Sequence, residues 1–399
     1  MCRLAPVVLS LCLGCVCPFV FGQTICPTQG EAKLYCLIPT ALHTPPNEFN
    51  FFNEAFATEL SQLPLASPAS GIIYSTKGGL PTATNAGFGP IMTERAETIG
   101  RHKWYVAFTY QRFGFNSIDG TNLKSVPIVL TFPPTNPTVY TQTYNRIDTT
   151  VNQYVGYATF GLTSGVDVSV AVPFERISMA MATFGTEYST TSSATASFQQ
   201  YIPGSASGFG DVVLAGKGKI FNGENLRAAL GLELRLPSGD AKNFLGSGAV
   251  GVKPYIAFSR SGKVSPHLDL GYQWNGKSIL ARNSLGHDEE LPKSFIYVFG
   301  ADFTPAPWIT FVADLVGQHI FNAPRVTPPI SVMIPNRNLF FPTVLPTNAS
   351  YDPDNLSFGL KANPWSNLLV TANLLVRPPG NQGGLRCNIV PMAGLSYTF

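Results

Sequence analysis

Between Leu226 and Leu236 every second residue is apolar: Leu226, Ala228, Leu230, Leu232, Leu234 and Leu236 stand against Arg227, Ala229, Gly231, Glu233 and Arg235. A side-chain period of two belongs to an extended strand whose two faces meet different surroundings. The length of the run constrains the fold further. A strand of an ordinary globular protein has about 5 to 6 residues, whereas a tilted strand crossing a hydrocarbon layer needs about 9 to 11. The pattern recurs. Val166, Val168, Val170, Val172 and Phe174 oppose Asp167, Ser169 and Ala171. Leu268, Leu270, Tyr272 and Trp274 oppose His267, Asp269, Gly271, Gln273 and Asn275, and Phe295, Tyr297, Phe299, Ala301 and Phe303 face away from Asp302.

Similar segments fall near residues 89–100, 103–117, 122–132, 150–164, 208–221, 249–260, 307–320, 354–363, 366–377 and 388–399. Together they predict an all-β chain, a transmembrane antiparallel up-and-down β-barrel of about 12–14 strands. Tight turns at Asn222-Gly223, Ser261-Gly262 and Ala306-Pro307 alternate with longer polar or Pro-rich stretches near 183–207, 276–293 and 321–353, expected as loops on the opposite rim. One helical pattern precedes the strands. Phe49, Phe52, Phe56, Leu60 and Leu63 share a face over 47–63, with Asn47 placed to cap and Pro64 to stop the helix. It makes a plug or lid, or a periplasmic appendage. The expected division is a signal peptide over 1–22, an N-terminal helical segment over 23–69 and a barrel over 70–399.

Charge fits this reading. Only 12% of the 399 residues are charged, about half the roughly 25% usual for soluble domains. A lipid-facing charge costs about 2–4 kcal/mol at the membrane midplane, so charges gather on the inward faces and in loops. A net charge of +3 with no basic runs excludes nucleic acid as a partner. At the N-terminus, Arg3 followed by an apolar stretch to Phe21 reads as a secretory leader cleaved near Gly22. An uncleaved helix is the competing reading, interrupted by Pro6 and Pro18, and a lipoprotein signal at Cys15 is another. Cleavage removes Cys2, Cys12, Cys15 and Cys17, which leaves Cys26 and Cys36 as the natural disulfide pair beside Cys387.

The inward candidates are Lys217, Lys219, Arg227, Glu233, Arg235 and Asp269, groups of mixed sign that line a lumen and set the field a solute meets. Each also serves as plain wall structure. No Ser sits in a Gly-x-Ser-x-Gly elbow, and the five histidines are scattered. His267 shares its face with Asp269, so a hydrolytic centre would have to be built there. The acidic run His287-Asp288-Glu289-Glu290 is a solvated loop or a cation site. The glycines at 246–251 lack the following helix that a nucleotide site requires. No cofactor is implied.

The stretches GFGDVVLAGKGKIF (208–221), LRAALGLELRLPSGD (226–240) and LGSGAVGVKPYIAFSRSGKVSPHLDLGYQW (245–274) resemble the outer-membrane family named for the MetA pathway of phenol degradation, which is similar in turn to long-chain fatty-acid and aromatic-hydrocarbon transporters. Gly210-Asp211, Lys217, the turn Leu236-Pro237-Ser238-Gly239-Asp240, Gly246, Gly248 and Gly271-Tyr272 carry the likeness. It implies a monomeric outer-membrane barrel admitting small hydrophobic or aromatic solutes. The Asn-Pro-Ala plug motif of the fatty-acid transporters is absent from the sequence. The final strand ending at Phe399 resembles the signal read by the barrel assembly machinery. Beside the channel stand two other expectations: a structural or adhesive barrel acting through its long loops, and a barrel-embedded hydrolase.

Overall fold

The computed structural model describes residues 33–42, 50–67, 74–75, 82–83, 87–132, 138–193, 195–223, 226–282, 287–334, 338–365 and 367–399. The leader expected over 1–22 and Cys26 lie outside them. Cys36 is disulfide-bonded, and its partner also lies outside the described residues; Cys387 is a buried free thiol.

Twelve strands close into an antiparallel barrel. In chain order the wall is β1 (Trp104–Ile118), β2 (Val139–Gly161), β3 (Val166–Ser189), β4 (Val213–Asn222), β5 (Arg227–Arg235), β6 (Gly251–Ser259), β7 (Val264–Asn275), β8 (Ser294–Ala306), β9 (Ile309–Val326), β10 (Asn355–Trp365), β11 (Leu368–Val376) and β12 (Ile389–Thr398). Each pairs with its neighbour in sequence, and β12 returns to β1 through pairs such as Leu395↔Phe108 and Thr398↔Tyr105. The Phe399 N–H donates to the Trp104 carbonyl at 2.8 Å, closing the seam at the rim where the short turns lie.

The alternation resolves into lipid face and lumen face. In β1, Trp104, Val106 and Phe108 are exposed while Tyr105, Ala107, Thr109 and Gln111 are buried. In β5 the exposed set is Leu230, Leu232 and Leu234. The outer band carries aromatic residues at both edges. Trp104, Trp308, Trp365 and Phe399 mark the short-turn edge, and Tyr110, Phe174, Phe209, Trp274 and Phe295 mark the other. Aromatic girdles of this kind sit at membrane–water boundaries. No described helix is long and apolar enough to cross a membrane.

Four sequence expectations need correction. Residues 89–100 are not a wall strand: they cross the lumen as an irregular strap, because Glu94 and Glu97 find partners on inner wall faces. Residues 208–221 are two strands, Thr195–Phe209 and β4, broken where Gly210 donates to the Pro173 carbonyl at 2.9 Å. The expected loops are largely β-ribbon. Thr195–Phe209 and Pro346–Tyr351 pair with the upper ends of β3 and β9, and Ile330–Ile334 forms a hairpin with Leu339–Thr343. Residues 122–132, expected as a wall strand, instead hold the ribbon Val126–Phe132, which pairs with the upper end of β2. In Thr195–Phe209 no residue is buried on either face, so Ser, Thr and Gln replace the alternation that marked the membrane strands.

The N-terminal segment packs on the wall's inner side. A short helix α1 (Leu37–Ala41) precedes α2 (Asn50–Leu60), which ends before the 63 expected; residues 47–49 of the expected span lie outside the described residues. Phe52, Phe56 and Leu60, at helical spacing, are buried.

Candidate functional site

Residues 61–67, leaving α2, run through the lumen between opposite walls. Arg235 of β5 donates to the Ser61 carbonyl at 2.6 Å, Gln111 of β1 donates to the Pro64 carbonyl at 3.1 Å, and Ser294 of β8 bonds Gln62 at 3.3 Å. Below this segment, toward the short-turn rim, runs the strap 87–100. Its backbone N–H groups donate to inward side chains. Phe88 bonds Thr310 of β9 at 3.1 Å, Glu94 bonds Asp269 of β7, Ala96 bonds Ser259 of β6 at 3.3 Å, and Ile99 bonds Asp167 of β3 at 3.0 Å. A chain without regular structure must have its backbone groups satisfied by something when buried. Here the barrel wall supplies the acceptors.

Charges hold the strap as well. Lys217 of β4 reaches Glu94 at 2.8 Å and the Arg95 carbonyl at 2.8 Å. Arg227 of β5 meets Glu97 at 2.7 Å, and Ser259 and Ser261 donate to the same carboxylate at 2.7 and 3.0 Å. Burial pushes the Glu97 carboxyl up, but Arg95, the Ser259 hydroxyl and Arg227 outweigh it and draw it down to about 2. Lys361 of β10 donates to the Pro90 carbonyl at 2.6 Å.

Between the 61–67 segment and the wall lies a cavity of about 260 Å³. Leu63, Leu65, Tyr157, Ala171, Tyr255 and Val298 give it a largely apolar lining, and Gln153, Glu175 and Lys253 add polar groups. The Tyr255 ring lies over Gly231, where a Cβ would stand 2.1 Å from it, so only glycine permits this ring position.

Of the six residues singled out from the sequence, Glu233, Arg235 and Asp269 line the cavity. Glu233 pairs with Lys253 across β5 and β6 at 2.7 Å, and Arg235 binds Asn275 at 2.7 Å with Asp211 at 3.8 Å. Lys217 and Arg227 are strap anchors instead, and Lys219 stands half-buried near them. Sequence reasoning missed Glu175 and Lys253, although continuing the Asp167, Ser169, Ala171 alternation two steps reaches Glu175. It also missed Glu94 and Glu97, whose partners are more than a hundred residues away.

His267 is placed against a hydrolytic role. Its Nε2 lies 2.7 Å from Asp314 and its Nδ1 3.6 Å from Asp302, with the ring almost wholly buried. The Nδ1 also lies 3.2 Å from the Ser265 carbonyl, so both nitrogens are engaged by wall acceptors and neither is directed at a nucleophile.

Among the residues carrying the family resemblance, Asp211, Gly239 and Gly246 form one knot above the cavity. Asp211 accepts from the N–H groups of Gly239 at 3.0 Å and Ser247 at 2.7 Å, folding the 236–250 loop inward. A Cβ on Gly246 would stand 2.3 Å from an Asp211 oxygen. Phe244 and Leu245 are thereby buried against the N-terminal segment, with Phe244 and Tyr35 rings 6.2 Å apart.

A family model described as putative MetA-pathway of phenol degradation matches residues 143–318, from within β2 to within β9. The chain is a closed twelve-stranded β-barrel with an apolar outer face. Among solved structures it is similar to an outer membrane channel from Pseudomonas putida F1, at 13% identity and a TM-score of 0.49, covering 77% of this chain and 99% of that one. It is also similar to the NanC porin, at 9% identity and a TM-score of 0.36, covering 73% and 98%. A Pseudomonas aeruginosa FadL homologue matches at 8% identity and a TM-score of 0.30, covering 76% and 91%. No curated protein sequence matches the chain.

Proposed function

We propose that this barrel is a passive channel for small apolar or aromatic solutes, closed at rest by the 61–67 segment and the strap. The observation carrying this reading is the cavity of about 260 Å³ inside the lumen, apolar in most of its lining with a few fixed polar groups. A dry cavity of about 150 Å³ holds benzene, so this one has room for a substituted single ring and too little for an extended fatty acyl chain. The phenol pathway in the family description supports the same solute class. Glu233, Arg235 and Asp269 are proposed to orient a polar substituent of the solute, and the helical segment to act as the plug.

The test is uptake into liposomes carrying the purified protein. Phenol and cresol are expected to enter faster than through protein-free liposomes, with a fatty acid showing no gain. Equal rates with and without protein would sink the reading. A second reading, adhesion through the crown, is favoured by the outward apolar residues Met333 and Phe340 on the 330–343 hairpin. Its test is removal of that hairpin, which should abolish cell or surface binding and leave solute entry unchanged.

A further inference from the structure

Arg112 of β1 and Arg176 of β3 stand exposed on the outer face of the wall, and among the described residues neither has an acidic partner. The nearby acid on that face, Asp148, is already paired with Arg146 at 2.8 Å. Strand register places the two arginines in one row across the sheet, Arg112↔Asn152↔Arg176↔Ser207. Adjacent strands lie about 4.8 Å apart, so the guanidinium-bearing positions are about 10 Å apart with Asn152 between them. The Asn152 Oδ1 accepts from the Tyr110 hydroxyl at 2.9 Å, which leaves its NH2 group as a donor.

The rows on either side define the level. One step toward the short-turn rim is an aromatic row, Tyr110↔Tyr154↔Phe174↔Phe209, with successive ring centroids 5.1, 6.5 and 5.6 Å apart. One step the other way is a row of small polar residues, Gly114↔Thr150↔Ser178↔Ser205. Below the aromatic row, Gly156 leaves an open notch on the lipid face between Phe108 and Val172, with no atom within 4 Å of where its Cβ would be. Reading outward along the wall, the surface offers a groove for a hydrocarbon chain, an interfacial aromatic belt, two unpaired guanidinium groups and then hydroxyls. Because long connections mark the extracellular rim of such barrels, this patch lies at the outer leaflet.

We propose that the Arg112–Arg176 surface binds the phosphorylated sugar headgroup of an outer-leaflet glycolipid. The guanidinium groups pair with its phosphates, the Thr150, Ser178 and Ser205 hydroxyls meet the sugar, and an acyl chain lies in the Gly156 notch. The continuity of cations with aromatic belt and lipid face selects a membrane-anchored phosphate over a soluble one.

The full chain in non-ionic detergent is titrated with bisphosphorylated lipid A, with its dephosphorylated form and with inorganic phosphate, and bound species are counted by native mass spectrometry. Retention of the bisphosphorylated lipid is expected. It should weaken at least about tenfold in the Arg112→Gln/Arg176→Gln variant and partly return in the Arg112→Lys/Arg176→Lys variant. Folding is checked by the difference in gel migration between heated and unheated samples, and Arg176→Gln alone replaces the double variant if that one does not fold. Equal retention of the dephosphorylated lipid, full displacement by inorganic phosphate, or unchanged binding by the Gln variant would each overturn the proposal.

Discussion

Lys217 and Glu94 are 123 residues apart in the chain and 2.8 Å apart in the structure, with side chains 4% and 9% exposed. The pair joins wall strand β4 to the strap that crosses the lumen. Each charge has been withdrawn from bulk water, so the pair is held by mutual attraction and by the Arg95 carbonyl that also accepts from Lys217. Its main effect is positional: it decides where the strap lies.

Removing one partner therefore frees the strap and leaves a buried charge. Glu94→Gln is expected to cost about 3–5 kcal/mol, the usual penalty for an orphaned buried ion, and to raise single-channel conductance as the strap detaches. The double variant Glu94→Gln/Lys217→Met should recover much of the stability and keep the raised conductance. Denaturant unfolding and planar-bilayer recordings measure the two effects separately. Wild-type conductance in both variants would show that the strap does not close the pore.

The cavity makes a steric prediction. Ala215 of β4 lines it from the wall, and Ala171 of β3 lies beside it in register two pairs away. A Trp at position 215 adds a bulky ring to a space of about 260 Å³, so aromatic uptake should fall to the protein-free rate while the barrel remains folded. An outward substitution one residue away, Leu214→Trp, faces lipid and should leave uptake unchanged. Equal uptake by both variants would place the solute path elsewhere.

The wall was legible in the sequence and the lumen contents were not, for one physical reason. A strand between lipid and lumen repeats its environment every second residue, so Leu226–Leu236 or Val166–Phe174 announces itself locally. The strap has no such local signature. Glu94, Arg95 and Ala96 take their positions from Asp269, Lys217 and Ser259, which lie 122 or more residues away along the chain. Most of the ribbon Thr195–Phe209 was read as loop because two wet faces produce no alternation. For the site, Glu233, Arg235 and Asp269 were visible as polar members of alternating strands; that Lys217 and Arg227 serve the strap required knowing what lay opposite them.

The docking of α2 is expected to depend on pH. Burial raises the Glu54 carboxyl to about 7 against the lowering effect of the Arg282 N–H, which Glu54 accepts at 3.2 Å. Burial likewise raises Glu59 to about 7, opposed by the Tyr351 hydroxyl and Arg386. Both groups bind protons more tightly folded than unfolded, so their contribution is fully present below about 4.5 and is lost as pH rises through about 7. Hydrogen exchange of Asn50–Leu60, corrected for intrinsic rate, should show more protection at acidic pH than at alkaline pH. Glu59→Gln should flatten that dependence, and identical profiles for wild type and variant would remove Glu59 as its source.

Charge selectivity follows from the Glu233–Lys253 pair. Its groups lie 2.7 Å apart, each about a fifth exposed, on the inner faces of β5 and β6 at the cavity. With both present the local field is nearly neutral, which suits an uncharged permeant. Glu233→Gln leaves the Lys253 ammonium facing the path beside Arg235, so the reversal potential in a salt gradient should shift toward anion selectivity. Lys253→Gln should shift it the other way by leaving Glu233. The two shifts should shrink as ionic strength rises, because exposed charges are screened over about 10 Å at 0.1 M salt. A shift of the same sign in both variants would mean that ions bypass this pair.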